Sequence, residues 1–150
     1  MLKPPFLCDY GFNISMGARS FVNYGSMWLD CNRITVGEDV QMGPGVHLYT
    51  ATHPLDAATR KSGLESALPI SIGDGVWLGG GTIVCPGVSI GENTVVGAGS
   101  VVVRDLPPNA LAVGNPGRVV RSLGLGALLE RAAQRLSRAP RAALNVSADG

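Results

Sequence analysis

The chain holds two histidines, His47 and His53. An unperturbed imidazole titrates at about 6.5, close to neutrality. It is therefore the usual general base for a hydroxyl nucleophile. His47 follows Val46 at an outward position of a regular repeat, so a solvated side chain describes it best. His53 stands in Thr52-His53-Pro54, inside the one long interruption of an otherwise periodic chain. Pro54 also narrows the backbone freedom of the residue before it. A lone loop histidine is more often solvated than functional, but these two features favour a catalytic reading for His53. Asp9, Asn23 and Asp30 fall in the irregular N-terminal part, where successive turns of the chain could stack them near that loop. Taken alone they read as turn residues, because Asp and Asn bond their own backbone. Two histidines and scattered carboxylates cannot build a three-histidine zinc site, and no metal is expected. No P-loop and no GxSxG pattern is present. Cys8, Cys31 and Cys85 have no metal-type spacing, and their odd number suits free thiols in a reducing compartment.

The elements that must position these groups follow from a six-residue period. Aliphatic side chains recur at Ile72, Leu78, Val84, Ile90, Val96 and Val102, with glycine next at Gly73, Gly79, Gly91 and Gly97. The same phase appears upstream at Val36-Gly37, Met42-Gly43 and Leu48. Four places after each aliphatic stands Val76, Thr82, Val88, Thr94, Ser100 or Leu106, small or β-branched in all but the last. Neither a helix nor an alternating strand has this period. It is the hexapeptide signature of a parallel β-helix, in which each unit buries its face only against its neighbours. Each unit makes one short strand and one corner, and glycine beside the corner permits backbone angles that other residues resist. Three units close a triangular turn of about 18 residues, with room for about six or seven turns.

The expected organisation is one all-β repeat domain over 1–122 and a short C-terminal helix with a flexible tail over 123–150. Met1 to Phe12 opens extended, and a turn is expected at Asp9-Tyr10-Gly11. One imperfect repeat stands at Met16-Gly17, after which the phase slips by two residues around Trp28 to Asn32. Tyr49 to Pro69 carries no aliphatic period and reads as a long loop thrown out of the coil, a length usually kept for function. Asp105 to Asn109 is expected to break the last turn, Val113 to Gly117 to reverse the chain, and Arg118 to Arg121 to form a final strand. An amphipathic helix over 125–136 would cap the open end. Charged residues make up only 15% of the chain, which favours lateral association. The net charge of +1, with no basic cluster, argues against nucleic acid. No apolar stretch of 18 residues is present, so neither a membrane span nor an N-terminal leader is expected, and a cytoplasmic location is.

The segments PPFLCDYG, FVNYG, YTATHPLDAATRKSG, the repeat from Ile72 to Val103 and DLPPNALAVGNPGRVVR together resemble the maltose/galactoside O-acetyltransferase family. The likeness runs from about Pro4 to Arg121, and its THP loop and VGNPGRVVR ending are its most specific parts. It implies a left-handed parallel β-helix, a hand that the period alone does not give. It also implies a homotrimer with acetyl-CoA in the cleft between neighbouring subunits. On the same likeness His53 matches the catalytic base. Asp9, Asn23 and Asp30 or Cys31 match residues that hold the acceptor sugar. Gly80, Ala98, Val103, Arg104, Arg118 and Arg121 match coenzyme-A contacts, and Trp77 would wall the pantetheine arm. Cys85, at a repeat corner, is not a nucleophile in this scheme. Family members carry a mostly helical segment before the PPF motif that helps to close the acceptor pocket. Here the chain starts just before that motif, so a more open cleft is expected.

The leading expectation is thus transfer of acetyl from acetyl-CoA to a sugar or glycan hydroxyl, by direct attack with His53 as base. Transfer to the amine of an amino sugar stays open, as does a non-catalytic trimeric scaffold. Retention of His53 with Arg118 and Arg121 speaks against the scaffold.

Overall fold

In a computed structural model, residues 1–124 are described, together with Gly126 and Leu129. The helix expected over 125–136 and the tail after it otherwise lie outside the described residues. The chain winds as a triangular prism, one short strand on each face per turn. The first turn comprises β1 (Phe6–Cys8), β2 (Ile14–Met16) and β3 (Phe21–Val22). The second comprises β4 (Ser26–Leu29), β5 (Ile34–Val36) and β6 (Gln41–Met42). The third opens with β7 (His47–Tyr49) and then leaves the coil through β8 (Ala51–Thr52), helix α1 (Ala57–Lys61) and β9 (Ser66–Ala67). It resumes with β10 (Ile70–Ile72) and β11 (Trp77–Leu78). The fourth holds β12 (Ile83–Val84), β13 (Ser89–Ile90) and β14 (Val95–Val96); the fifth holds β15 (Val101–Val102) and β16 (Ala110–Val113). Strand β17 (Arg118–Ser122) then folds back antiparallel on β16.

Three parallel sheets result. The first face is β1-β4-β7-β12-β15, the second β2-β5-β10-β13, and the third β3-β6-β11-β14-β16 with β17 at its margin. The architecture is a left-handed parallel β-helix. The coils number five rather than six or seven, because the third-turn excursion and the C-terminal segment add no turns. Register explains the irregular N-terminus. Met16, Val22 and Trp28 stand beside Val36, Met42 and Leu48, an offset of twenty residues. Ile72, Leu78 and Val84 stand beside Ile90, Val96 and Val102 at eighteen. The two extra residues are taken up at the corner around Asp30 and Cys31, so the first two turns are full members of the coil. At the other end Val96 pairs with Ala112 at sixteen, and Leu106 still bridges Ile90. Asp105 to Asn109 therefore shortens the last turn without breaking it.

The core is a column of inward aliphatic side chains, with Trp28, Leu48, Val84 and Val102 fully buried along the first face. Each such side chain contributes about 1.5–3 kcal/mol relative to exposure. The small residues four places on are buried too, and their hydroxyls are satisfied locally. Thr82 donates to the Gly79 carbonyl at 2.7 Å and Ser100 to the Gly97 carbonyl at 2.6 Å. Glycine beside the corner is needed because successive turns nearly touch. A Cβ on Gly79 would lie 2.5 Å from the Ala98 nitrogen.

Candidate active site

The three edges of the prism sort the candidate residues. Between the first and second faces runs an edge made of residues 9–13, 29–33, 50–69, 85–88 and 103–105 in successive turns. It carries Asp9, Asp30, Cys31, His53, Val103 and Arg104. Between the third and first faces runs another edge, made of residues 23–25, 43–46, 79–82, 97–100 and 114–117. It carries Asn23, Gly80 and Ala98. Within one chain, then, Asp9 and Asp30 do stack beside the His53 loop, and Asn23 does not.

The His53 loop is built rather than structureless. Strands β8 and β9 pair antiparallel, Thr52 facing Ser66. Asp56 caps α1 by accepting the Thr59 amide at 2.7 Å, a bond that also holds its carboxyl below the usual range. Arg60 at the helix end reaches back to the carbonyls of Pro54 (2.9 Å) and Leu55 (3.0 Å). The loop thus closes on the residues that follow His53. Pairing across the hairpin brings Glu65 toward His53, with Oε1 4.0 Å from Nδ1. Both side chains are more than half exposed. Sequence reasoning missed Glu65. The available signal was the capped Asp56-Ala-Ala-Thr-Arg-Lys helix, whose flanking segments have to meet.

Beside this pair lies a cleft of about 240 Å³, lined by Tyr10, Cys31, Ala51, Glu65, Ser66 and Ala67. Asp9 reaches it through Cys31, whose thiol donates to Asp9 Oδ2 at 3.3 Å. That bond, with lesser burial and nearby carboxylates, raises the Cys31 thiol and keeps it protonated at neutral pH. Asp30 is fully buried. Its Oδ1 accepts the amides of Asp9 (3.1 Å) and Tyr10 (2.9 Å), and Oδ2 those of Gly11 (2.8 Å) and Asn13 (3.3 Å). Burial alone would raise its carboxyl; the amides of Tyr10, Gly11 and Asn13 outweigh that and hold it below the ordinary range. Asp30 therefore shapes the cleft wall from behind. His47 accounts for itself: its Nδ1 is paired with the Tyr49 hydroxyl. Burial raises the Cys85 thiol, which suits a packed corner residue.

The edge between the third and first faces, the third edge, is rich in glycine. Gly25, Gly45, Gly81 and Gly99 occupy its left-handed position in successive turns, whereas Arg19, Asp39, Gly75, Asn93 and Asn109 occupy that position between the second and third faces. The amides of Gly80 and Ala98 donate no hydrogen bond among the described residues. A Cβ on Gly80 would lie 3.2 Å from the Pro44 carbonyl oxygen. Along the outer surface of the third face, Trp77, Val95, Leu111 and Arg121 stand in lateral register. Trp77 is 55% exposed, and Arg118 and Arg121 are exposed on β17.

This geometry has counterparts of known kind. The bacterial transferase hexapeptide (six repeats) family matches residues 69–104. A hexapeptide-repeat-containing acetyltransferase from Vibrio cholerae is 42% identical, with a TM-score of 0.81 over 82% of this chain and 70% of that one. The chain belongs to the hexapeptide-repeat acetyltransferases. A second structure of the Vibrio cholerae member is a complex with acetyl coenzyme A. A maltose O-acetyltransferase from Clostridium difficile is 50% identical, with a TM-score of 0.81, and covers 82% of this chain and 66% of that one. Nodulation protein L from Rhizobium meliloti is 51% identical over 119 residues, 79% of this chain and 65% of that protein. The chain spans 59–65% of the length of the first curated relatives it matches. Among the described residues no helix is long and apolar enough to cross a membrane.

Proposed function

We propose that this chain acetylates a sugar hydroxyl from acetyl-CoA, with His53 as general base. The observation that carries the reading is His53 set on an ordered hairpin, 4.0 Å from Glu65 and beside a cleft of mixed polar and apolar lining. Glu65 lies on the Nδ1 side of the ring, which leaves Nε2 as the nitrogen open to the acceptor hydroxyl. Nε2 takes the proton of the acceptor hydroxyl as its oxygen attacks, and returns it to the departing thiolate. Acetyl-CoA supplies an acetyl group activated as a thioester. The glycine-rich third edge fits it: the unpaired Gly80 amide suits the developing oxyanion, the Ala98 amide suits a pantetheine carbonyl, and Trp77 walls the arm. Arg104, Arg118 and Arg121 suit the nucleotide phosphates, which guanidinium groups match by their fork of donors, and Val103 gives an apolar contact beside Arg104. Asp9 holds the acceptor within the cleft, and Asn23 holds it from the third edge.

Because base and donor residues lie on different edges of one prism, a complete site needs two copies side by side; a closed ring pairs every base edge with a neighbour's donor edge, and the family resemblance makes that ring three. We therefore assign a homotrimer, working in the cytoplasm, where Cys8, Cys31 and Cys85 stay as free thiols. The test is thiol release from acetyl-CoA against glucose, maltose, a galactoside and glucosamine, with the product mass and its alkali lability. Alkali-labile ester on a neutral sugar supports the reading. Acetylation of glucosamine nitrogen alone sinks the hydroxyl assignment. Acetyl-CoA at 100 times its dissociation constant should stabilise the fold by about 2.7 kcal/mol; no shift would indicate a scaffold.

A further inference from the structure

The corner Asp9–Asn13, on the same edge as His53, carries two aromatic rings that packing among the described residues of one copy leaves exposed. Tyr10 is 62% and Phe12 79% exposed. Their centroids lie 5.4 Å apart with 36° between the planes. Gly11, at φ +84°, turns the backbone between them. The segment is not loose. Four of its amides end on the buried Asp30 carboxylate, so the backbone that carries both rings is tied down from beneath. Large apolar side chains held out in water at such a cost usually mark a binding surface.

Position says what binds. Tyr10 belongs to the wall of the cleft with Cys31, Glu65 and Ser66, and Phe12 does not. The pair therefore continues the cleft outward. Its chain neighbours Asp9 and Asn13 are polar, as is Glu65 in the same cleft wall as Tyr10, so the site offers apolar faces beside carboxylate and amide groups. Pyranose rings meet this description: one face of C–H groups for an aromatic ring, and hydroxyls at the rim for carboxylates and amides.

We propose that Tyr10 and Phe12 form a stacking platform for the second ring of an oligosaccharide, next to the terminal ring that enters the His53 cleft. This rests on the sugar-acceptor reading and extends it to acceptor length. Binding energy gained on a remote ring can be used to orient the attacking hydroxyl, so its effect falls largely on turnover.

The experiment compares kcat/KM for glucose and maltotetraose in the full chain, its Phe12→Ala variant and its Phe12→Trp variant. Phe12 is exposed, so neither change threatens the fold. The wild-type ratio of tetrasaccharide to monosaccharide should be about tenfold or more, should fall toward one in Phe12→Ala, and should recover in Phe12→Trp. Equal use of both sugars by the wild type overturns the platform, as does a Phe12→Ala effect of the same size on both. A changed light-scattering mass in Phe12→Ala also overturns it, since the rings would then be a contact between copies. A chain that acetylates neither these two sugars nor maltose nor a galactoside fails the acceptor reading itself, and the platform with it; a chain that acetylates a galactoside but neither glucose nor maltotetraose, or acetylates both alike, fails the platform alone.

Discussion

At the scale of single residues, some side chains of the site act and others hold them in place. The buried carboxylate of Asp30 is of the second kind, and pH exposes it. Its folded pKa lies below the unfolded value, so its stabilisation is complete above the ordinary carboxylate range and fades as pH falls through the folded pKa. Asp30→Asn should cost roughly 1–3 kcal/mol at neutral pH, because an amide cannot accept four N–H groups. The gap to the wild type should narrow below about pH 4. Denaturant titrations of both proteins at pH 7 and pH 3 measure this; a gap independent of pH would contradict it. Asp30 also marks a limit of sequence reading. Asp9, Asn23 and Asp30 look alike as turn residues, and only register across turns reveals that one of them is sealed under the first edge. Glu65 was missed for another reason: its relation to His53 arises from pairing across a hairpin, which only the capped helix between them hints at.

At the scale of elements, the repeat was legible because each unit contacts only its neighbours, so a local period carries the global fold. The six in-phase aliphatics from Ile72 to Val102 give the faces directly. Hand, register slips and the built loop were not legible, since these depend on backbone geometry at corners. Two predictions belong here. Gly79→Ala forces a Cβ to within 2.5 Å of the next turn's backbone, where no side chain can yield. It should destabilise by about 1–3 kcal/mol, visible as a lower melting temperature; an unchanged Tm would mean that the turns can separate freely. Arg60→Ala removes the two bonds to the Pro54 and Leu55 carbonyls. It should speed amide exchange over residues 54–61 and lower kcat, with the KM for acetyl-CoA little changed, because the loop that carries His53 loses its tether. Unaltered exchange would show that the hairpin holds itself.

At the scale of the whole molecule, the division of site residues between two edges makes assembly part of catalysis. Neither His53→Ala nor Gly80→Val should be active alone. Co-refolded in equal amounts, they should regain about a quarter of wild-type activity, since a site then needs an intact His53 from one copy and an intact Gly80 from its neighbour. Recovery of nothing, with trimers present by light scattering, would place the site within one chain. The most direct test of the central claim is turnover of acetyl-CoA and a sugar acceptor by His53→Ala set beside His47→Ala. His53→Ala should lose roughly 10²–10⁴-fold in kcat with acetyl-CoA binding intact, and His47→Ala should stay near the wild type. Equal losses in the two variants would contradict the assignment of His53 as the base.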